Sequence, residues 1–506
     1  FKQKTAYEIR LSLVGSEMCI RDSPSIMADA PPSFLRTRRD FLRTAGCAAL
    51  GTFGMQSMLR DLRLVSSALA HEATTLTDYK ALVCIFLAGG NDSNNLIVPT
   101  GTDYSNYAAV RQNLAIPELS LLGINPLNSD GRSYGFHPAC YELQALFGEG
   151  KLGLVFNVGT LLYPTSRAQY QARSVALPPQ LFSHSDQVTH WMTSIPDQPA
   201  RTGWGGRIAD LLHPLQYELQ AGVPTTDSAK VAMCVSLAGA NTFEAGNVYQ
   251  QYHVSTTGAV TLSNITGARL QAMKDVLALS SPNLQRAEYA GITTNAIETG
   301  DLLNAAISPT VNASFWTTPF PGSSLGSQLR MVARMIEGRD ALNMKRQIFF
   351  CQVGGYDTHT AQVGNNQNPG NPLFGPHTDL LNELSESIYA FQRATEQLGV
   401  SDKVTSFTAS DFGRTFPTNG QGSDHGWGSH HLIVGGAVRG QRTYGTFPVL
   451  QVSGPDDTST GRWIPKLAVD QYAGTLAHWF GVGDDGLGAV FPYLNRFPVQ
   501  DLGFML

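Results

Sequence analysis

Ala81-Leu82-Val83-Cys84-Ile85-Phe86-Leu87 runs into Gly89-Gly90-Asn91-Asp92, and the same design recurs twice further along the chain. Gln347-Ile348-Phe349-Phe350-Cys351-Gln352-Val353 runs into Gly354-Gly355-Tyr356-Asp357-Thr358-His359. Lys403-Val404-Thr405-Ser406-Phe407-Thr408 precedes Ser410-Asp411-Phe412-Gly413-Arg414, with Asp424-His425-Gly426 shortly after. Short continuous runs rich in β-branched and aromatic residues read as strands buried on both faces, the pattern of a parallel sheet between helices. The expected fold class is therefore α/β, with a doubly wound, mostly parallel sheet flanked by helices. In such sheets the ligand crevice lies beyond the carboxyl ends of the strands. Asp92, Asp357, Asp411, His359 and His425 should then meet on one rim. Carboxylate oxygens mixed with imidazole nitrogens suit a divalent metal, Zn²⁺ or Mn²⁺ above all.

Outward from these runs the αβ rhythm continues. His137–Phe147 carries apolar residues at helical spacing, with Gly148 and Gly150 as stop signals. Leu152–Gly159 reads as a second core strand, and strand, helix and strand make a βαβ unit. Leu380, Leu381, Leu384, Ile388, Phe391 and Leu398 define the best helix of the chain, closed by Gly399. Leu432–Gly436 predicts a further short strand. Residues about 205–345 mix helical stretches with polar loops and are expected to be a helical and loop insertion within one domain, 71–506.

The front of the chain concerns export. Thr37-Arg38-Arg39-Asp40-Phe41-Leu42-Arg43 fits the twin-arginine pattern, a Gly/Ala-rich apolar stretch follows, and Ala68-Leu69-Ala70 offers a cleavage site before His71. Residues 27–70 are thus expected to be a twin-arginine signal peptide. The translocase of that pathway would be a transient partner and the periplasm the destination. Residues 1–26 read as a non-native extension, because no methionine precedes Met18, Met27 sits at a sensible distance from the arginines, and Leu11–Asp22 resembles translated adapter sequence. What remains, about 435 residues, suits a large α/β enzyme. A net charge of −5 without a basic stripe argues against a nucleic-acid partner. No later stretch approaches the ~20 apolar residues of a membrane span. Cys84, Cys140, Cys234 and Cys351 read as small core residues, although an oxidising compartment leaves room for one bridge that the sequence does not assign.

Several phrases match a family pattern together. They are Ala88-Gly89-Gly90-Asn91-Asp92, Leu181-Phe182-Ser183-His184-Ser185-Asp186-Gln187, Gly203-Trp204-Gly205-Gly206-Arg207, Gly354–His359, Ser410–Thr415 and Ser423-Asp424-His425-Gly426-Trp427-Gly428. The chain from about 80 to 505 resembles the exported bacterial family called domain of unknown function 1501. That family is in turn similar to the alkaline phosphatase/sulfatase superfamily, whose members bind two metals at the carboxyl ends of a doubly wound sheet. The resemblance implies an alkaline phosphatase-like fold and metal-dependent hydrolysis of a small anionic phosphate or sulfate ester. It implies Asp92 as the first-strand ligand, Asp357 and His359 as a pair on one ion, Asp411 as the aspartate of an Asp-His-Gly motif, and His425 as the late histidine. Phe412 departs from it, standing where that motif has its histidine, so one ion rather than two is a live alternative. Asp424-His425 is itself an Asp-His pair.

The superfamily also needs a nucleophile at a helix start. Tyr163-Pro164-Thr165-Ser166-Arg167 somewhat resembles the sulfatase phrase Pro-Ser-Arg, which would make Thr165 or Ser166 the nucleophile and Arg167 an anion partner. The plain alternative is a helix cap. Plain alternatives stand beside the other residues too. Asp357 after Gly-Gly could stabilise a turn. Asp411 with Arg414 could be an anchoring ion pair. His184 and Asp186 could line the pocket or cap a helix, and His430 and His431 are reserve ligands. No Gly-x-Ser-x-Gly elbow follows a strand, which sets aside a serine hydrolase. The remaining reading is a catalytically degenerate binding or assembly protein of the same fold.

Overall fold

The structure is a computed structural model, and it describes residues 76, 78–216, 219–220, 223–224, 231–259, 265–307 and 316–506. The expected extension, signal peptide and cleavage site lie outside the described residues. Among the described residues, no helix is long and apolar enough to cross a membrane.

A ten-stranded mixed sheet forms the centre. Its strands are β1 (Lys80–Leu87), β2 (Leu152–Gly159), β3 (Cys234–Ser236), β4 (Tyr252–Ser255), β5 (Gly258–Ala259), β6 (Arg346–Val353), β7 (Val404–Ser410), β8 (Ser429–Gly435), β9 (Arg442–Gly445) and β10 (Leu467–Ala468). They run in the order β5-β4-β3-β6-β1-β7-β8-β2-β9, with β10 also pairing with β2. The centre of the sheet is parallel, with β1 between β6 and β7, and β8 pairs antiparallel with both β7 and β2.

Side chains alternate across a strand, and here both faces are apolar. From β1, Ala81, Val83, Ile85 and Leu87 enter one core cluster, whereas Leu82, Cys84 and Phe86 enter the other. Helices α1 (Tyr141–Gly148), α4 (Ser324–Glu337) and α5 (Pro376–Gln397) contribute to the first cluster, through Leu146, Leu329 and Leu384 among others. Helix α6 (Val469–Phe480) contributes Tyr472, Ala473 and Leu476 to the second. Each fully buried Val, Leu, Ile or Phe side chain among them is worth about 1.5–3 kcal/mol, which explains why unalternated runs read as strands. All four described cysteines are buried and free.

Residues 205–345 are not only helical. Strands β3, β4 and β5 come from this stretch and extend the sheet beyond β6. They are only two to four residues long, too short to produce a visible period of two.

Register then places the site. Leu87 of β1 pairs with Val353 of β6 and with Ser410 of β7, so the three carboxyl ends are level. Glycines let the following loops close on one another. Gly89 has φ +115, and a Cβ there would lie 2.4 Å from the backbone nitrogen of Asp357.

Candidate metal centre

Four polar side chains from separated segments converge at this rim. Asp357 follows β6, His359 lies two residues on, His425 precedes β8, and His184 opens helix α3 (His184–Thr193). The Nε2 atoms of His359, His184 and His425 lie 3.2, 3.5 and 3.6 Å from Asp357 Oδ1. Ligand atoms of His184, Asp357 and His425 all fall within 4.8 Å of one another. The imidazoles pack closely, with ring centroids 4.3 Å apart for His184 and His425 and 4.6 Å for His359 and His425.

Behind each ring stands an acceptor. His184 Nδ1 is 2.7 Å from Asp411 Oδ2, His359 Nδ1 is 2.8 Å from Asp424 Oδ1, and His425 Nδ1 is 2.6 Å from the carbonyl of Phe182. Carbonyl and carboxylate oxygens accept, so each Nδ1 carries a hydrogen and each Nε2 is left for another partner. Those nitrogens point inward. His359 Nε2 and His425 Nε2 are 2.7 Å apart, and His184 Nε2 is buried without a hydrogen-bond partner. Ring nitrogens gathered around a carboxylate in this way suit a cation between them. Imidazoles whose outer nitrogen is held by a carboxylate or carbonyl form the usual second layer of a metal site. The donor set therefore fits a divalent ion.

The electrostatics agree. Burial lowers the pKa of His425 against the raising effect of its hydrogen bond to the Phe182 carbonyl, and the neighbouring His184, Arg414 and His359 lower it further. Burial works against the Asp357 carboxylate, but its hydrogen bond and charge contact with Arg414, helped by His184 and His359, hold its pKa below the usual value. Asp424 is likewise held low, against burial, by its hydrogen bonds from Asn419 and His359.

Phe412 stands beside two of the rings, its centroid 4.8 Å from His184 and 4.7 Å from His425. It is a packing wall for the imidazoles. Arg414, completely buried, donates to the carbonyls of Gly89, Gly90, Tyr356 and Ser423 and to Asp357, tying three loops together. The anchoring partner of Arg414 is thus Asp357, not Asp411.

Two expected ligands are placed differently. Asp92 lies in its own buried nest, where Oδ2 accepts from Arg111 and Gln362 and Oδ1 from Asn94 Nδ2 at 3.2 Å. Asp92 and Arg111 are both fully buried, and the arginine's remaining donors go to Asn95 and to the carbonyls of Thr415 and Phe416. Burial opposes the Asp92 charge, but Arg111, His377 and Gln362 together outweigh it and the pKa is lowered. Both oxygens of Asp92 are thus engaged within the protein. Asp411 is also engaged at both oxygens, by Gly89 N–H at 3.0 Å and by His184, and so stands behind the His184 ring.

The expected nucleophile segment is a helix start. Ser166 caps helix α2 (Arg167–Ala172) in a reciprocal capping box with Gln169. Thr165 Oγ1 donates to the carbonyl of Tyr163, and Arg167 Nε donates to that of Asp457. None of these contacts reaches the histidine cluster. The reserve ligands His430 and His431 are buried in β8, and burial pushes both pKa values down to about 3. The residue that sequence reasoning undervalued is His184; its signal was the Ser183-His184-Ser185-Asp186 phrase within the family motif set.

The family described as "Protein of unknown function (DUF1501)" matches residues 79–460. The chain belongs to this family. The match contains every member of the histidine cluster. No curated protein matches the sequence. Among solved structures, the C-terminal periplasmic domain of EcEptC from Escherichia coli is similar at 10% identity, over 81% of this chain and 84% of that one, with a TM-score of 0.31. Ps i-CgsB, solved in complex with k-i-k-neocarrahexaose, is similar at 9% identity over 80% and 73%, with a TM-score of 0.30. A structure designated BT33494S-sulf, titled for glycosaminoglycan metabolism by Bacteroides thetaiotaomicron, is similar at 10% identity over 80% and 74%, with a TM-score of 0.32. At these TM-scores the likeness carries no argument about chemistry, and the functional reading rests on the site itself.

Proposed function

We propose that this chain is an exported, metal-dependent hydrolase of a small phosphate or sulfate ester, with one divalent ion held by His184, His359, His425 and Asp357. The observation that carries the reading is the orientation of the three imidazoles, each fixed at Nδ1 by an acceptor and each directing Nε2 toward Asp357 Oδ1. When bound there, a Zn²⁺ or Mn²⁺ ion would polarise an ester oxygen and lower the pKa of a water. The chain's own part is to orient the ring nitrogens, to keep Asp357 ionised, and to hold the loops through Arg414. Because Thr165 and Ser166 are engaged in a turn and a cap, water rather than a side-chain hydroxyl would be the nucleophile. Export by the twin-arginine pathway to the periplasm belongs to the same proposal and is supported by the sequence around Arg38-Arg39.

Elemental analysis of the protein purified from periplasm tests this, alongside an Asp357→Ala/His359→Ala variant. One equivalent of Zn or Mn in the wild type, lost in the variant, is the expected result. Absence of metal from both proteins would overturn the hydrolase reading. The engaged hydroxyls of Thr165 and Ser166 favour one second reading, a binding or assembly protein without turnover. A metal-loaded protein inactive across a panel of aryl and alkyl phosphate and sulfate esters would point that way.

A further inference from the structure

Three arginines lie around the rim, and they differ in what is left of their donors. Arg414 and Arg111 are fully buried, and each donates from Nε and both terminal nitrogens to protein oxygens. Arg462 is only half-buried. Its Nε donates to the carbonyl of His425 at 2.7 Å, and its guanidinium carbon lies 4.2 Å from the centroid of the Phe182 ring. Among the described contacts, its two terminal nitrogens have no hydrogen bond or ion pair. The guanidinium is therefore held by a tether and a ring while its fork stays open.

Both anchors belong to the metal centre. His425 supplies one Nε2, and Phe182 supplies the carbonyl that fixes the His425 ring. Phe182 holds that carbonyl with φ +74, a left-handed conformation that non-glycine residues adopt only when their surroundings enforce it. Phe182 also forms one wall of an open groove of about 530 Å³, together with Leu181, Leu177, Tyr170 and Arg173. One strained residue thus touches the ligand His425, the open arginine and the groove.

We propose that Arg462 is the residue that binds the tetrahedral oxyanion of the substrate, and that the groove beside Phe182 takes the organic remainder of the ester. This deepens the hydrolase reading and rests on it for the identity of the reacting group. A guanidinium matches two oxygens of a phosphate or sulfate with parallel donors, which a lysine ammonium does not. Stacking and the Nε tether order the fork in advance, so less side-chain freedom is lost on binding. Because Gln171, Arg173 and Gln180 line the groove beside its apolar residues, the favoured substrate is a monoester whose alcohol pairs an aromatic or apolar face with polar groups.

The test uses metal-loaded wild type, Arg462→Met, Arg462→Lys and Leu177→Trp, titrated calorimetrically with inorganic phosphate, inorganic sulfate and 1-naphthyl phosphate. Metal content is measured for each protein. Arg462→Met is expected to keep its metal and to bind phosphate about 10- to 100-fold more weakly, the range for a charge-assisted hydrogen-bonded pair. Arg462→Lys should recover part of that loss. Leu177→Trp should weaken 1-naphthyl phosphate and leave inorganic phosphate unchanged. The stronger of phosphate and sulfate in the wild type identifies the natural head group. Unchanged phosphate affinity in metal-loaded Arg462→Met would overturn the proposal. So would loss of metal in that variant, because Arg462 would then be a support for His425. Failure of the hydrolase reading looks different: a metal-free wild type whose phosphate binding still depends on Arg462 would leave an anion site without the reaction.

Discussion

Asp92 and Asp357 each follow a glycine pair at the end of a buried strand, and each faces an arginine, yet the two neighbourhoods do opposite things. Around Asp92 both carboxylate oxygens are matched internally, and the carboxylate and Arg111 are both 0% exposed. Around Asp357 the side chain is 49% exposed, and three imidazole Nε2 atoms converge on it at 3.2, 3.5 and 3.6 Å. The first is a closed ion pair and the second an open set of donors. Residue type does not distinguish them; what stands behind each group does. A carboxylate backed by a guanidinium is neutralised, whereas an imidazole backed by a carboxylate becomes a better electron donor.

The comparison breaks most visibly if the closed pair is opened. Asp92→Ala leaves Arg111 buried without its counter-charge, which costs about 3–5 kcal/mol. Urea denaturation should show that loss while the folded variant keeps its full metal content. A variant that loses metal but little stability would return Asp92 to the ligand set.

The open set is sharpened by changing what stands behind it. Asp424→Asn and Asp411→Asn leave the ligating atoms in place but weaken the hold on His359 and His184. Second-layer losses of this kind typically cost 10- to 100-fold in metal affinity. Competition with a chromophoric chelator measures it. Affinities within a factor of two of wild type would mean that the carboxylates behind the rings do not set the tautomers.

How much of this contrast could be read from the chain follows from the same physics. The runs 81–87, 347–353 and 403–408 are legible because a strand buried on both faces tolerates few polar residues, and all three are central strands. The outlying strands at Cys234–Ser236 and Tyr252–Ser255 are short and carry no such pattern. Asp357, His359 and His425 were legible as a group because level strand ends bring their loops together. Asp92 was indistinguishable from them until Arg111, from a different helix, was placed beside it. His184 was hidden for the converse reason: it opens a helix, where a polar residue usually needs no explanation beyond the helix start itself.

A third kind of carboxylate extends the comparison. Glu244 is fully buried like Asp92 but has no arginine; Asn241 donates to one oxygen, and the other is unpartnered. Burial, only partly offset by hydrogen bonds from Asn241 and the Val235 backbone, raises its pKa to about 8. The folded protein therefore keeps a proton on Glu244 that the unfolded chain releases near pH 4.5. Stability from this group is fully present below that value and declines as pH rises toward about 8, at about 1.4 kcal/mol per pH unit. Glu244→Gln cannot ionise, so the stability difference between variant and wild type should grow in the variant's favour from pH 5 to 8. Parallel pH profiles of the two proteins would show that burial leaves Glu244 unshifted.

The smallest effect belongs to the segment that resembled a nucleophile. Ser166 accepts from Gln169 N–H at 3.3 Å, and its own N–H donates to Gln169 Oε1 at 2.9 Å. A cap of this kind contributes about 1 kcal/mol. Ser166→Ala should lower stability by that amount and leave both metal content and ester turnover unchanged, since the hydroxyl serves the helix and not the rim. If turnover collapses while the metal stays bound, Ser166 is reactive after all. The water mechanism would then fail, and the rim would have to close over the Ser166 helix start during the reaction.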